Sequence, residues 1–262
     1  MFKTLSISTF ALALASGLFA QLAAPNDKGV AMGHLHLNAS DIAAQKHFWV
    51  DLLGASPVML GKIEGVKLPG AVLLFTAKTP TAGSDGCVVD HVGLKVKDLK
   101  EANDKLTGGG VAFEKNPNGH QSMVTGPDLL RVELTEDAAM TVPVAFHHIH
   151  FYTEPVLETQ AWYAKTFGAK PGRRAIFDAA DLPGVNLTFS KAETKCAPTK
   201  GRVLDHIGFE VKNLEAFCKG LEARGIKFDV PYRKVPALGI AIAFFTDPWG
   251  TYIELTEGLD KL

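Results

Sequence analysis

The sequence predicts an α+β protein built from four copies of one strand–helix–strands module, set out as two tandem halves. Three observations carry this. The chain repeats itself at a nearly constant interval. Each half contains the same opening twice, a strand that begins on histidine and runs into a helix cap. Every copy then closes in short strands bounded by turn residues.

The repeat is read by setting "HLHLNASDIAAQKHFWVDLLGA" (34–55) over "HIHFYTEPVLETQAWYAKTFGA" (148–169). His34 meets His148, His36 meets His150, and Gly54-Ala55 meets Gly168-Ala169, all 114 residues apart. The interval holds into "LPGAVLLF" and "LPGVNLTF". "DHVGLKVKDLKEANDKLTGGGVAF" (90–113) then matches "DHIGFEVKNLEAFCKGLEARGIKF" (205–228) at 115, and "GPDLLRVELTE" (126–136) matches "DPWGTYIELTE" (247–257) at 121. Self-similarity over such a period marks a duplicated structural unit. The boundary falls near "AAMTVPVAF" at 138–146, which predicts one domain over 30–138 and a second over 144–259.

Within each module the elements follow from local chemistry. In "GHLHLNASD" Leu35 and Leu37 share one face of a strand, while His34 and His36 share the other. Seven residues after His34 comes Asp41, after His91 comes Asp98 and after His206 comes Asn213, all good helix N-caps; His148 is followed instead by Glu154-Pro155. The helices show apolar spacing at Leu99, Ala102 and Leu106, and at Leu214, Phe217 and Leu221. They stop at Gly54, Gly108–Gly110, Gly168 and Gly225. "AVLLFTA" and "TYIELTE" read as closing strands.

Residues 1–24 stand apart. Lys3 is the only charge before Asp27, and "LSISTFALALASGLFAQLAA" between them is apolar and rich in small residues, the pattern of a signal peptide. It predicts an exported protein, periplasmic or secreted; an uncleaved anchor is the other reading. No later stretch is long and apolar enough to span a bilayer. With 27 basic and 28 acidic residues the net charge is -1, which gives no electrostatic case for nucleic acid. Cys87, Cys196 and Cys218 have neither zinc spacing nor catalytic context.

The module pattern resembles the vicinal oxygen chelate superfamily, which includes glyoxalase I, extradiol dioxygenases and the bleomycin-resistance proteins. The resemblance spans residues 32–258. It implies that modules pair into two tandem glyoxalase/dioxygenase-like open barrels, each around a metal, with ligands from the first strand of each module and a Glu on the last. Carried over, the first half supplies His34, His91 and Glu133 and the second His148, His206 and Glu254. The turn Asp247-Pro248-Trp249-Gly250 is the family's hairpin ahead of its Glu strand, shortened to "GPDL" in the first half.

The residues themselves point the same way. Two neutral imidazoles and one carboxylate bind a first-row divalent ion and leave positions open for chemistry. Six of the nine histidines fall at repeat-equivalent positions, and duplication of an expensive polar group in an interior is rarely idle. A divalent metal (Fe, Mn or Zn), up to one per domain, is therefore expected, and the resemblance implies a small-molecule substrate that offers adjacent oxygens. His36 and His150 face the same cavities, either as substrate-orienting or proton-shuttling catalytic groups or as support for a neighbouring ligand. Arg131, two residues before Glu133, and Tyr252 in its place in the other half are the candidate substrate-binding residues. Gly93 and Gly208 would leave room beside the ligands. Two departures from the family stand out. "GAVLLFTA" and "GVNLTFSK" lack the extra carboxylate of glyoxalase I, with only Asn186 polar at an interior position. The Tyr of extradiol dioxygenases is replaced by Phe244 and Met123. The competing reading is a non-catalytic small-molecule binding protein of the bleomycin-resistance type.

Overall fold

The computed structural model describes residues 22–262, so all but the last three residues of the expected leader lie outside the described residues. No described helix is long and apolar enough to cross a membrane.

Each expected module is present. The first comprises β1 (Val30–Ala39), α1 (Ile42–Lys46) running on into a π-helical segment (His47–Leu52), β2 (Ser56–Leu60), β3 (Ile63–Leu68) and β4 (Ala71–Ala77). The second has β5 (Val89–Val96), α2 (Leu99–Gly108), β6 (Phe113–Lys115), β7 (Gln121–Thr125) and β8 (Arg131–Glu136). The third has β9 (Val144–Thr153), α3 (Val156–Phe167), β10 (Lys170–Arg174), β11 (Phe177–Leu182) and β12 (Val185–Lys191). The fourth has β13 (Leu204–Val211), α4 (Leu214–Glu222), β14 (Val230–Val235), β15 (Ile240–Thr246) and β16 (Tyr252–Glu257). Asp41 and Asp98 cap α1 and α2 as expected, accepting from the amides of Ala43, Ala44 and Glu101. Asn213 does not cap α4. It adopts a left-handed conformation (φ 61°), and the Glu257 carboxylate instead accepts from the amides of Asn213 and Leu214, each at 3.1 Å.

In every module the first strand runs parallel to the last, and hairpins extend the sheet outward. Modules join through their first strands, antiparallel. The partners differ from those expected. β1 pairs with β13 and β5 with β9, so one eight-stranded sheet has the order β14-β15-β16-β13-β1-β4-β3-β2 and the other β10-β11-β12-β9-β5-β8-β7-β6. Modules one and four share a sheet, modules two and three share the other, and neither sheet closes into a barrel. The pairing of modules within each half of the sequence is thereby corrected. Residues 137–143 carry the chain from β8 to β9 within one sheet, whereas the segments 78–88 and 192–203 pass between sheets. Those two crossing segments pair with each other: Cys87 bridges Ala197, Thr81 N–H donates to the Gly201 carbonyl, and Val203 N–H to that of Ala82.

The face of β1 that carries Leu35 and Leu37 is buried in one continuous core with Phe48, Trp49, Val92, Ile149 and Phe209, so that all four modules contribute. The opposite, concave face carries the histidines. Tyr163 on α3 ties the two sheets together, because its hydroxyl donates at 2.8 Å to Asp247 in the turn before β16. Asp247 is buried and also accepts from the amides of Trp249 and Thr251. Tyr163→Phe is expected to lower stability by about 1–3 kcal/mol, since it leaves a buried carboxylate oxygen without its donor. Denaturant unfolding checks this, and an unchanged midpoint would remove the bond from any account of how the sheets are held.

Candidate metal centre

Two clusters of imidazole and carboxylate groups lie on the concave faces, one in each sheet. The first is laid out across three adjacent strands. His34 on β1 stands opposite Gly208 on β13, and Gly208 stands beside Glu254 on β16. His206 lies two residues before Gly208 on the same face. His34 Nε2 and His206 Nε2 each lie 2.9 Å from Glu254 Oε2. All three residues are buried. Gly208 is what admits this row: a Cβ there would come within 2.1 Å of the His34 ring.

Electrostatics follow from the burial. Burial opposes the charge on Glu254, yet His34 and His206 outweigh it and hold the carboxyl well below the usual range. For His206 burial works against the cation, but Asp205 and Glu254 push the imidazole up. Asp205 accepts from His206 Nδ1 at 2.7 Å and is itself brought down to about 2, burial being overcome by His206 and by the Gly201 amide. This is the carboxylate–histidine arrangement that fixes the tautomer of a metal-binding ring and aims its other nitrogen. The donor set fits a first-row divalent ion: two Nε2 atoms and a carboxylate oxygen converge, with the reverse side of His206 anchored.

His36 lies on the same face. Its ring packs on His206 with centroids 4.6 Å apart, and its Nε2 is 2.7 Å from Thr76 Oγ1. Together His34, His36, His206 and Glu254 present ligand atoms all within 4.8 Å of one another. Burial first, then the neighbouring His206 and His34, lower the His36 pKa to about 3, so the ring is neutral at ordinary pH. It forms no hydrogen bond to a neighbouring ligand. The residue that does so is Asp205, and reasoning from the sequence missed it although the Asp-His pair recurs at 90–91 and 205–206.

The second cluster repeats the row as His148 on β9, Gly93 on β5 and Glu133 on β8, with His91 two residues before Gly93. A Cβ on Gly93 would come within 1.8 Å of His148. The six expected ligands thus meet as His34, His206 and Glu254 in one sheet and His148, His91 and Glu133 in the other, rather than by halves. In the second cluster only His91, His148 and His150 bring ligand atoms within 4.8 Å of one another. Glu133 stands back, with Oε2 3.6 Å from His91 and Oε1 3.8 Å from His148. Burial opposes its charge, but His91, Thr135 and Arg174 bring its pKa down to about 2. His150 mirrors His36, 2.8 Å from Ser190 Oγ, and is lowered to about 3 by burial and then by His91 and Arg174.

The two candidate substrate-binding residues have other partners. Arg131 Nη1 lies 2.6 and 2.5 Å from the two oxygens of Asp90, which accepts from His91 Nδ1 at 2.6 Å. Its guanidinium is engaged in holding a histidine's support. Tyr252 stacks on Phe244 and stands edge-on to His206, with Lys200 over its ring at 4.1 Å. Asn186 donates to Asp181.

A cavity of about 250 Å³ opens on the first cluster, with His34, His206 and Glu254 in its lining. Its walls are apolar, including Leu60, Leu74, Ile242 and Phe244.

Comparison with known proteins places this arrangement. Residues 145–255 match the model of the Glyoxalase/Bleomycin resistance protein/Dioxygenase superfamily. The match covers the second half of the chain. The structure of glyoxalase I from Zea mays superposes with a TM-score of 0.68 at 15% identity, covering 88% of this chain and 94% of that one. A protein of Bacillus subtilis described as a dioxygenase gives 0.67 at 14% identity, covering 91% and 86%. At such identities the likeness is one of fold alone, and it covers both sheets. No curated protein sequence matches the chain.

Proposed function

We propose that the chain is an exported metal-dependent enzyme of this superfamily whose centre on β1, β13 and β16 takes a small substrate with two adjacent oxygens and an apolar body. The observation that carries the reading is the convergence of His34, His206 and Glu254 at the floor of an apolar cavity. An ion held there (iron, manganese or zinc) supplies Lewis acidity to adjacent substrate oxygens. The chain's own groups do the rest. Asp205 keeps His206 in one tautomer and orientation. Leu60, Leu74, Ile242 and Phe244 exclude water from the substrate's body. Arg233, exposed in the cavity wall, offers a positive charge to an anionic end. His36, neutral and packed on His206, lines the same cavity and would hold or move a proton there. The apolar leader is the support for export, and sequencing the N-terminus of the mature protein from the periplasm or medium tests that part.

The enzyme reading is tested by stripping the full chain of metal and offering Mn²⁺, Fe²⁺ and Zn²⁺ in turn. Uptake with turnover of an α-hydroxyketone, α-ketoaldehyde adduct or catechol is the expected result. A chain that takes up none of the three ions would support the non-catalytic binding protein instead. His36→Phe keeps the stacked ring and removes both nitrogens. Turnover is expected to fall roughly 100-fold or more with metal content unchanged. Loss of metal in this variant would instead make His36 a ligand.

A further inference from the structure

The two concave faces descend from one repeat, yet they differ at corresponding positions. Where the first sheet has Leu60 at the end of β2, the second has Arg174 at the end of β10, 114 residues on. Opposite Thr256 the first sheet has Ile242, whereas opposite Thr135 the second has Gln121. Beside His34 stands Val72, and beside His148 stands Asn186. Leu74 is matched in the same way by Thr188. One face is greasy around its carboxylate and the other is lined with donors.

These donors converge on the second cluster. Arg174 Nη2 lies 3.1 Å from His148 Nε2, its Nε donates to Thr188 Oγ1 at 2.9 Å, and its Nη1 is 3.7 Å from Glu133 Oε1. The same Glu133 oxygen accepts from Gln121 Nε2 at 3.1 Å and Thr135 Oγ1 at 2.9 Å. The guanidinium is largely buried, with 17% of the side chain exposed, and His148 is fully buried. A guanidinium can only donate, so the contact uses the lone pair of His148 Nε2, the pair a metal would need. The carboxylate oxygen is likewise taken up by donors that Glu254 does not have.

We propose that Arg174 serves as a built-in cation in the second site and excludes a metal from it, so that the protein carries a single ion, at His34, His206 and Glu254. The count of one rests on the reading of the first site as a metal centre; the exclusion at the second does not. A divalent ion among His91, His148 and Glu133 would face a fixed positive charge in contact with two of its three ligands. It would also have to displace the guanidinium from partners that are themselves buried. With the guanidinium in place, only His91 Nε2, buried and unpartnered, and Glu133 Oε2, which accepts no hydrogen bond among the described residues, are left in this set of three, and an ion on them would still have to overcome the same charge and contacts.

The experiment is a metal count on the full chain, stripped, loaded with Mn²⁺, desalted and submitted to elemental analysis. One ion per chain is expected in the wild type, two in Arg174→Leu, which copies Leu60, and none in Leu60→Arg, which copies Arg174 into the first site. Circular dichroism establishes that each variant is folded. If Arg174→Leu does not fold, the wild-type count and Leu60→Arg decide. Two ions in the wild type, an unchanged count in folded Arg174→Leu, or an ion retained by Leu60→Arg would overturn the proposal. A wild type with no ion beside an Arg174→Leu with one would sink the functional reading of the first site while upholding the exclusion at the second. No ion in either would overturn both.

Discussion

Gly208→Ala is expected to empty the first site of metal. The added Cβ would lie 2.1 Å from the His34 ring carbon and nitrogen, inside any permissible contact, and both groups sit on adjacent strands of a sheet that cannot part locally. The ring must swing away from Glu254. Support residues alone are worth roughly 10- to 100-fold in metal affinity, so displacement of a ligand should exceed the upper figure. The crowding itself should lower stability by about 1–3 kcal/mol. Gly93→Ala is the matching control. It forces the same clash against His148 and should lose comparable stability, yet with Arg174 in the second site it should leave the metal content as it was. Calorimetric titration with Mn²⁺ and thermal unfolding of both variants check the pair. Wild-type metal affinity in Gly208→Ala would refute the row of His34, Gly208 and Glu254 as the seat of the ion.

Glu254→Ala removes the carboxylate that both imidazoles address, and it should abolish metal uptake at any accessible concentration. Its effect on the metal-free chain depends on pH, with a sign that follows from the two shifts. Glu254 is depressed from an ordinary 4.5, so its stabilising share is complete above 4.5 and fades as pH falls toward its folded value. His206 is raised from an ordinary 6.5, so its share is complete below 6.5 and is lost as pH rises through its folded value. The pair therefore contributes most between about pH 4.5 and 6.5. In that interval removing Glu254 should cost several kcal/mol, because loss of one member of a buried ion pair costs about 3–5 kcal/mol. As pH rises through the folded value of His206, the loss should shrink. Denaturation of metal-free wild type and variant across this range reads it out, and a pH-independent difference would contradict the assignment of the pair.

The modules were legible in the sequence because each is written in local chemistry. Alternation at Leu35 and Leu37, the caps at Asp41 and Asp98 and the glycine stops all act over a few residues. The six histidine and glutamate positions of the two clusters could be paired in the sequence, since the repeat sets His34 on His148 and Glu133 on Glu254. What the sequence left open is which module meets which. A duplicated chain offers equivalent first strands, so β1 has the same edge chemistry to offer β5 or β13, and periodicity is blind to the choice. The links at 78–88, 137–143 and 192–203 break the tie, and their routes depend on long-range pairs such as Cys87 with Ala197. The partner of Arg131 was hidden for a related reason: its guanidinium is engaged by Asp90 across the sheet, a contact that periodicity does not encode. Arg174 was overlooked because it lies at the end of a strand with no histidine beside it in sequence, although comparison with Leu60 exposes it at once.

The nested order of the modules also governs how the protein can be assembled as it is made. Modules two and three are neighbours in the chain, so residues 89–191 hold everything their sheet requires before the last quarter has been synthesised. Module one has the opposite fate. Its first strand emerges early and must wait, with one edge bare, until β13 arrives about 165 residues later. Closing so long a loop adds entropy cost and slows the step, and an unpaired strand edge in the interim invites wrong partners. The cluster of His34, His206 and Glu254 therefore forms only once module four is present, later than its counterpart in modules two and three. A chain cut short before module four would still contain the Arg174 cluster intact, and no trace of the site that holds His34, His206 and Glu254 together.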